Sequence, residues 1–330
     1  MLKSMSSAIA GMKAQQTNLD VIANNIANVG TTAFKASTVN FSDTLYQTSS
    51  QATAANANTG GTNAKSVGVG SQVSSINKLM SNGNSLTTGR TLDLDIDGDG
   101  YFIATTGAIT GNITVNTTTD ATTATSTDIA KTQYTRNGNL SLDADGSLVT
   151  ASGDRIMGYY ATGAGTTVDS TGAISIPTRV DPDTAAKPYI TEGTLSPLAI
   201  PSTVGGSAVE SFAIGTDGVI TATTSAGKCV VGQIAMATFK NPEGLEDAGN
   251  SYQQESSNSG SPIISSGLDT TATNNSSAFG SMQSGYLEAS NVDLTQEFTN
   301  MITATRSFEA ASKMISNGDE ILQTITGLIR

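Results

Sequence analysis

Residues 291–330 of this 330-residue chain read NVDLTQEFTNMITATRSFEAASKMISNGDEILQTITGLIR. Counting from just upstream, every seventh residue is apolar: Leu287, Leu294, Met301, Phe308, Ile315, Leu322 and Ile329. The stripe is widened by Phe298, Ala304, Ala311 and Ile325. This repeat predicts a long helix that packs against another helix, with Asn291 as its N-cap and Asp293 and Glu297 near its positive end. The alternative is a helix folded onto its own globular core.

The first thirty residues carry a second heptad pattern. Apolar positions alternate steps of three and four, with one polar exception at Gln16: Leu2, Met5, Ile9, Met12, Gln16, Leu19, Ala23 and Ile26. The spacing predicts an amphipathic helix that ends near Val29-Gly30, where glycine supplies the C-terminal stop. We expect the two stripes to form interfaces between subunits, through Leu2, Met5, Ile9, Met12, Leu19, Ile26, Leu294, Phe298, Met301, Phe308, Ile315, Leu322 and Ile329.

Between the helices the pattern changes to short alternating strands with Gly and Asp turns. The predicted strands are 67–76, 91–96, 101–103, 133–136, 139–142, 148–150, 211–214, 219–221 and 230–236. The fold class is therefore mainly β with long α-helical termini. A discontinuous helical coiled-coil domain joins one or more antiparallel β domains of barrel or sandwich type.

The sequence predicts four regions. Residues 1–35 with 287–330 form the terminal helical core domain, and 36–70 with 256–286 form an extended linker region. Residues 71–155 with 232–255 form an inner β domain, and 156–231 form either an outer β domain or an extension of the inner one. Two polar stretches, 49–64 and 256–277, are expected to be linkers, and the Thr-rich stretch 107–128 an added hairpin or a surface loop.

The composition argues against an enzyme and against nucleic acid as a partner. The chain has no His, no Trp and one Cys, so it has no imidazole base, no His-containing zinc site and no intrachain disulfide. Its net charge is −12, and an acidic surface repels phosphate. No cofactor is expected. No stretch is apolar enough to span a membrane, and the N-terminus does not have the pattern of a cleavable signal.

Two further motifs favour structural roles. Asp93, Asp95, Asp97 and Asp99 match the start of a calcium-binding EF-hand loop, but Ala104 stands at its twelfth position and the flanks predict strands. The interpretation is a hairpin with its carboxylates on the solvent face and Leu92, Leu94 and Ile96 inward. Cys229 is expected to be a half-buried free thiol, with a redox or cross-linking role as the alternative.

Several segments resemble the flagellar axial proteins, the rod and hook family. The N-terminal signature is carried by 19–35, with Asn24, Asn25, Asn28, Thr31, Phe34 and Lys35. Segments 92–103, 134–139 and 143–150 are similar to the β hairpins of the family, and Asn291, Asp293 and Arg306 belong to its C-terminal signature. The sequence departs from the family pattern at Ala33, where Gly is usual, and at Ala311, where Asn is usual.

Within the family, 41–47 and 239–245 resemble hook-type members, so the expected function is a hook subunit that polymerises into a short, curved, hollow tube. The resemblance implies a flexible joint that transmits torque from rod to filament and conducts export substrates. The alternative is a distal or other rod subunit, whose members usually carry an Arg-x-Pro-Gly stretch after the Tyr-Gln pair. From another class, a secreted Ser/Thr-rich adhesin remains an alternative.

The resemblance also implies partners and a location. These are further copies of the chain, the rod, the hook cap, the hook–filament junction proteins and the type III export gate, without membrane insertion. The protein is expected outside the cell, in the hook or basal body, exported without signal cleavage. Phe41 and Leu45 match an aromatic-x-x-x-aliphatic export motif, with a simple packing role as the alternative.

Overall fold

The computed structural model describes residues 2–55, 60–107, 113–115, 122–123, 129–161, 167–168, 174–175, 194–265 and 280–328. The chain divides into two compact units. The helical unit comprises Met1–Gly30, Lys35–Leu79 and Asn291–Arg330, and the β unit comprises Thr31–Phe34 and Met80–Ser290. The predicted fold class is confirmed: antiparallel β structure dominates, with one long helix at each end of the chain.

The described elements of the helical unit are two helices and four strands: α1 (Leu2–Ala27), β1 (Ser37–Asp43), β2 (Tyr46–Ser50), β3 (Lys65–Gly68), β4 (Ser71–Lys78) and α2 (Leu294–Leu328). β1 pairs antiparallel with β4, with Val39 opposite Ile76 and a bulge between Asn40 and Phe41. β2 pairs antiparallel with β3. The pairs β1–β4 and β2–β3 are therefore successive parts of one nested hairpin.

The predicted strand 67–76 is interrupted at Gly70, which separates β3 from β4. Gly70 has φ of +134°, and a Cβ atom there would lie 2.9 Å from Cβ of Ala10 on α1. Helix and hairpin approach so closely at this point that only glycine fits without displacement.

The region expected to be a linker differs in the structure. β1, β2 and β3 lie within 36–70, and in 49–64 an isolated bridge joins Thr53 to Thr62, beyond the β2–β3 pair. The polar composition of this stretch reflects solvent exposure of the hairpin, because every residue of β2 and β3 is exposed. In 256–277 the structure has a strand at Ile263–Ser265, and 266–277 lie outside the described residues.

The described strands of the β unit are β5 (Ser85–Thr87), β6 (Leu94–Asp97), β7 (Tyr101–Gly107), β8 (Ile113–Val115), β9 (Thr122–Thr123), β10 (Ile129–Thr135), β11 (Leu140–Leu142), β12 (Leu148–Thr150), β13 (Arg155–Tyr160), β14 (Thr167–Val168), β15 (Ile174–Ser175), β16 (Thr194–Pro197), β17 (Thr203–Val204), β18 (Ser207–Ile214), β19 (Val219–Thr224), β20 (Gly227–Ile234), β21 (Met236–Thr238), β22 (Glu246–Gly249), β23 (Tyr252–Gln254), β24 (Ile263–Ser265), β25 (Ser281–Ser284) and β26 (Tyr286–Glu288). A 3₁₀ turn lies at Pro242–Gly244.

Most of these strands form one antiparallel sheet, with a main strand order and further strands that pair at its branches. Its main order is β17-β18-β19-β20-β13-β7-β10-β23-β22. β13, at the predicted boundary between 71–155 and 156–231, pairs with β12 and β7 at its first residues and with β16 and β20 further along, so that it has a neighbouring strand on each side at both places. The predicted division into four regions stays a prediction. In the Thr-rich stretch 107–128, β8 pairs with β9 as a hairpin. Apart from Gly107 and these two strands, the residues of the stretch lie outside the described ones.

The core of the β unit combines aliphatic and aromatic side chains. Leu94, Ile96 and Ile103 are fully buried together with Phe102 and Tyr159. Phe239 packs edge-on against Tyr134 with ring centroids 4.8 Å apart.

Cys229 is fully buried, not half-buried as expected, because the inner face of β20 is covered. Its thiol donates to the Ala222 carbonyl at 3.3 Å.

The predicted outward position of the acidic run is wrong for two of its four members. Asp97 and Asp99 are exposed, but Asp93 and Asp95 are buried along with Leu94 and Ile96. β25 pairs with β6 and the Ser85 hydroxyl donates to Asp95, while Arg90 forms an ion pair with Asp93 at 3.3 Å. Each buried carboxylate therefore has a specific partner, as burial of charge requires.

Candidate subunit interface

The two terminal helices lie against each other in antiparallel orientation. Met5, near the start of α1, contacts Gly318 in the second half of α2, where a Cβ atom would lie 3.2 Å from Met5 Cγ. At the other end, Asn25 contacts Glu297. The heptad repeat of α2 is therefore used within a single chain, as a helix pair.

The buried stripe of α2 keeps strict steps of four and three. Its buried or half-buried members are Glu297, Met301, Ala304, Phe308, Ala311, Ile315, Gly318 and Leu322. Four of the predicted interface residues (Met301, Phe308, Ile315 and Leu322) belong to it. Leu294 and Phe298 do not: both are exposed, Phe298 to 50%.

The predicted stripe of α1 divides into two halves. Met5, Met12, Leu19 and Ile26 are half-buried, whereas Ile9 is 42% exposed and Gln16 and Ala23 are exposed. Ile329 lies outside the described residues, and the Leu2 side chain is likewise not described. The interface role of all these residues stays a prediction.

The exposed apolar side chains of α2 form two groups. Leu294, Phe298 and Ile302 follow one another at steps of four, and Ile302 is 62% exposed. Met314, Ile321, Ile325 and Leu328 form the second group, towards the end of the helix. Apolar surface of this extent on a helix is typical of an interface with another molecule.

Asn25 joins three elements of the helical unit. Its amide pairs with the backbone of Ser37 in both directions: the Ser37 N–H donates to Oδ1 at 3.0 Å, and Nδ2 donates to the Ser37 carbonyl at 2.8 Å. The second Nδ2 hydrogen points to Glu297 Oε1 at 3.3 Å. Both Asn25 and Glu297 are buried, so an exchange of Asn25 for a side chain of other geometry leaves polar groups without partners.

Asn291 and Asp293 have roles other than those predicted. Asp293, not Asn291, caps α2: its Oδ1 accepts from the backbone N–H of Thr295 at 2.8 Å and of Gln296 at 3.3 Å. Asn291 lies too far upstream to cap, and its side chain instead bridges two segments. Oδ1 accepts from the Ala36 N–H at 2.7 Å, and Nδ2 donates to the Leu79 carbonyl at 2.8 Å.

The remaining signature residues near α1 shape the end of the helix. Asn28 donates from Nδ2 to the Asn24 carbonyl at 2.9 Å and to its Oδ1 at 2.8 Å. Thr31 accepts through its carbonyl from the Phe34 N–H, and Lys35 is buried. Between them Ala33 has φ of 59°, in the left-handed region, and its N–H donates to the Glu288 carbonyl at 2.9 Å.

The other predicted site residues are exposed. Arg306 forms an ion pair at 2.9 Å with Glu309, one turn along the exposed face of α2. Phe41 lies on β1 and is exposed, and Leu45, between β1 and β2, is 86% exposed. Their role as an export motif stays a prediction.

Sequence analysis missed a buried arginine in the β unit. Arg136 donates to Glu288 Oε2 at 2.8 Å, to Asn82 Oδ1 at 3.0 Å and to the carbonyls of Ile96, Gly98 and Gly100 at 2.9 to 3.2 Å. Its guanidinium also lies 5.8 Å from the centre of the Tyr101 ring. The available signal was a lone Arg within an otherwise apolar and Thr-rich strand pattern.

The chemistry of the described residues is that of packing and hydrogen bonding. Among them, no three His, Cys, Asp or Glu side chains lie close enough to hold a metal ion. No described helix is long and apolar enough to cross a membrane. The features that stand out are the helix pair, its exposed apolar side chains and the hydrogen-bonded residues at its junctions.

Three family models match the chain at both ends and in the middle. They are "Flagella basal body rod protein" over residues 5–35, "Flagellar hook protein FlgE/F/G D1 domain" over 95–222 and "Flagellar basal body rod FlgEFG protein C-terminal" over 283–328. The flagellar basal-body rod protein FlgG of Bacillus subtilis is 39% identical over 331 residues, covering 100% of both chains. The chain belongs to the flagellar rod and hook family. The predicted resemblance is thus confirmed, and the members of this family are structural components of the flagellum.

Other members of the rod and hook family match less closely. The rod protein FlgG of Caulobacter vibrioides is 30% identical, covering 99% of each chain. The hook protein FlgE of Treponema pallidum is 26% identical, with 100% of both chains covered, but that alignment extends over 492 positions. A solved structure of the Helicobacter pylori hook protein FlgE2 covers 62% of this chain and 100% of its own, with 11% identity and a TM-score of 0.40.

Proposed function

We propose that this protein is a structural subunit of the flagellar basal-body rod that polymerises through its terminal helices. The observation that carries the proposal is the full-length alignment with rod proteins, in which this chain itself carries almost no gaps. The Bacillus subtilis rod protein aligns over 331 positions and the Caulobacter one over 329, against 330 residues in this chain. An alignment that runs through the whole of both chains, without long gaps in this one, favours a shared place in the assembly.

A hook subunit, the function expected from sequence, is the second candidate. It is favoured by the hook relative that matches the whole chain and by the family model that names the hook protein. The 492-position alignment with that relative requires long insertions, however, since this chain has 330 residues. The segments 41–47 and 239–245 that suggested a hook are short, and the full-length similarity to rod proteins outweighs them.

In this proposal the terminal helices form the wall of a hollow tube, and the β units form its outer layer. The exposed apolar residues Phe298 and Ile302 supply the driving force, because burial of each such side chain is worth about 1.5–3 kcal/mol. The subunit carries torque and encloses the export channel, and it catalyses no reaction. Its partners are further copies of itself and the neighbouring rod, hook and junction proteins.

We further propose that the subunit leaves the cell through the flagellar export apparatus without cleavage. Phe41 and Leu45 are its candidate recognition motif, and both are exposed in the folded chain. Replacement of Leu45 by Ser tests this, since the side chain is 86% exposed and its loss leaves the fold intact. Export into the medium is the measurement; unchanged export argues for the packing role.

Complementation decides between rod and hook. The gene is expressed in two motile strains, one that lacks its rod protein FlgG and one that lacks its hook protein, and basal bodies are isolated for electron microscopy. We expect complete rods in the first strain and no hooks in the second. Restored hooks without restored rods would reject the rod proposal.

Polymerisation is tested with purified protein. Negative-stain electron microscopy compares the full chain with a variant that lacks residues 1–30 and 291–330. Tubes with a central channel from the full chain alone are the expected result. Small discrete oligomers that are unaffected by the truncation would favour a surface adhesin instead.

A further inference from the structure

The helical unit contains an open groove between α1, β1 and α2. Its volume is about 360 Å³. Val21 and Ile22 of α1, Val39 of β1 and Ala304 of α2 supply apolar wall, and amides and hydroxyls such as Asn18 and Thr303 supply the rest. Glu297 is the one charged residue among those that line it.

Glu297 is unusual among the acidic residues of the two helices. Asp20, Glu309, Asp319 and Glu320 are exposed, whereas Glu297 is 8% exposed. Its Oε1 accepts from Asn25, but Oε2 is buried without a hydrogen-bond partner among the described residues. No cation of the described chain contacts it, and an unpaired buried carboxylate is costly.

The groove suits a long side chain that is apolar along its stem and cationic at its tip. Lysine and arginine bury their methylene groups against apolar surface and direct the charged end to an acceptor. Val21, Ile22 and Val39 match the stem, and Glu297 matches the tip. The chain carries such side chains outward on the same helices: Lys3, Lys13, Arg306 and Lys313 are all exposed.

We propose that this groove receives a lysine or arginine side chain from the terminal helices of a second copy of the chain, with Glu297 as its acceptor. This inference rests on the proposed polymerisation and specifies one contact within it. The burial of Glu297 in the free subunit prepares the acceptor, and the incoming cation satisfies it. The paired carboxylate then stabilises the assembled state relative to the free subunit.

The proposal predicts that acid weakens assembly. Burial is the main cause that raises the pKa of Glu297 in the free subunit; the Asn25 hydrogen bond lowers it, and Asp293 adds to the rise. No charged residue of α1 or β1 lines the groove, so Asp293 is the charged group that acts on it. The incoming cation lowers the pKa of the Glu297 carboxyl on assembly, so assembly releases a proton. Assembly therefore strengthens as the pH rises through the raised pKa that this carboxyl has in the free subunit.

The test is the variant Glu297→Gln. Gln retains the acceptor for Asn25 but places an amide N–H where Oε2 lay, so the fold persists and the incoming cation meets a donor. We expect the critical concentration for polymerisation to rise about tenfold or more and its pH dependence to flatten. Glu320→Gln removes an exposed carboxylate from the same helix; this matched control is expected to polymerise like wild type.

The donor is identified by replacing Lys3, Lys13, Arg306 and Lys313 with Gln one at a time. One of these variants is expected to reproduce both the raised critical concentration and the flattened pH profile. Wild-type behaviour of Glu297→Gln, or of all four donor variants, would overturn this inference while leaving polymerisation itself intact. A wild-type chain that forms no tubes would instead reject the proposed function.

Discussion

At the scale of single residues, Ala33 occupies a backbone conformation that favours glycine. Its φ of 59° costs a residue with a Cβ atom about 1–2 kcal/mol. Glycine avoids that cost, but it makes the unfolded chain more flexible, and this lowers the free energy of unfolding by about 0.4–1 kcal/mol. We therefore expect Ala33→Gly to increase the free energy of unfolding by up to about 1 kcal/mol, measured by urea denaturation.

Ala33→Val serves as the opposite control, because a β-branched residue is least compatible with this conformation. It should lower the urea midpoint. A Gly variant that is less stable than wild type would show that the conformation is not strained.

Glu297 predicts a pH-dependent stability of the unassembled subunit. Because burial raises the pKa of this carboxyl in the folded state, its stabilising contribution is present below the ordinary pKa of glutamate and is lost as the pH rises through the folded value. Glu297→Gln should therefore be more stable than wild type at neutral pH. The difference should shrink as the pH falls below the ordinary glutamate range.

Urea midpoints of monomeric protein, taken across that pH range, provide the measurement. Glu309→Gln should show no such pH-dependent difference, since its carboxylate is exposed. If Glu297→Gln is less stable at neutral pH, the carboxylate is paired in the folded subunit. Increased subunit stability together with weakened polymerisation separates the docking role from a purely structural one.

At the scale of elements, the start of α2 depends on one side chain. Asp293 accepts from two backbone N–H groups of the first turn, and its charge lies near the positive end of the helix dipole. Asp293→Ala should cost about 1 kcal/mol of stability, seen as reduced helical circular dichroism and a lower urea midpoint. Asp293→Asn keeps the acceptor and should lose less; equal losses would contradict a capping role.

The two helices also contain glycines in different surroundings. Nothing lies within 4 Å of a Cβ atom placed at Gly11, whereas one at Gly318 would approach Met5 Cγ to 3.2 Å. Gly11→Ala should therefore increase the free energy of unfolding by the full difference in helix propensity between Gly and Ala, about 1 kcal/mol. Gly318→Ala should increase it by less, because Met5 must move. Thermal unfolding of both variants tests the antiparallel pairing: a larger gain at 318 would contradict it.

At the scale of the whole molecule, Arg136 connects segments that are distant in sequence. It donates hydrogen bonds to Glu288 on β26, to Asn82 near the start of the β unit and to carbonyls of the turn at 96–100. Arg136→Met removes the guanidinium donor from Glu288 Oε2 and from three carbonyls, and loss of one partner of a buried ion pair costs about 3–5 kcal/mol.

Urea denaturation of Arg136→Met measures this cost. Arg306→Met is the matched control, because its ion pair with Glu309 is exposed and such pairs are worth at most about 1 kcal/mol. A loss for Arg136→Met that is no larger than the loss for Arg306→Met would show that the buried network is redundant. A large loss would identify Arg136 as the residue that holds the separate segments of the β unit together.

Local periodicity was sufficient to predict both helices and the strands with clear apolar alternation, but it did not predict others such as β1, β13 and β26. Heptad spacing predicted α1 and α2 to within a few residues, and alternation with Asp-Gly turns predicted β12 with the bounds observed. These features depend on neighbours a few positions apart in the chain, so the sequence contains the full information for them. The same reasoning failed at 49–64, where a hairpin of exposed polar residues has no apolar alternation to detect.

The amino-acid sequence by itself determined the class of fold, the family and the apolar stripes of both terminal helices. Tertiary structure alone decided which half of each stripe is covered within one chain, that Asp293 rather than Asn291 caps α2, and that Glu297 and Arg136 are buried. The physical reason is that burial and pairing depend on contacts between residues up to 272 positions apart, as for Asn25 and Glu297. No local pattern encodes such contacts.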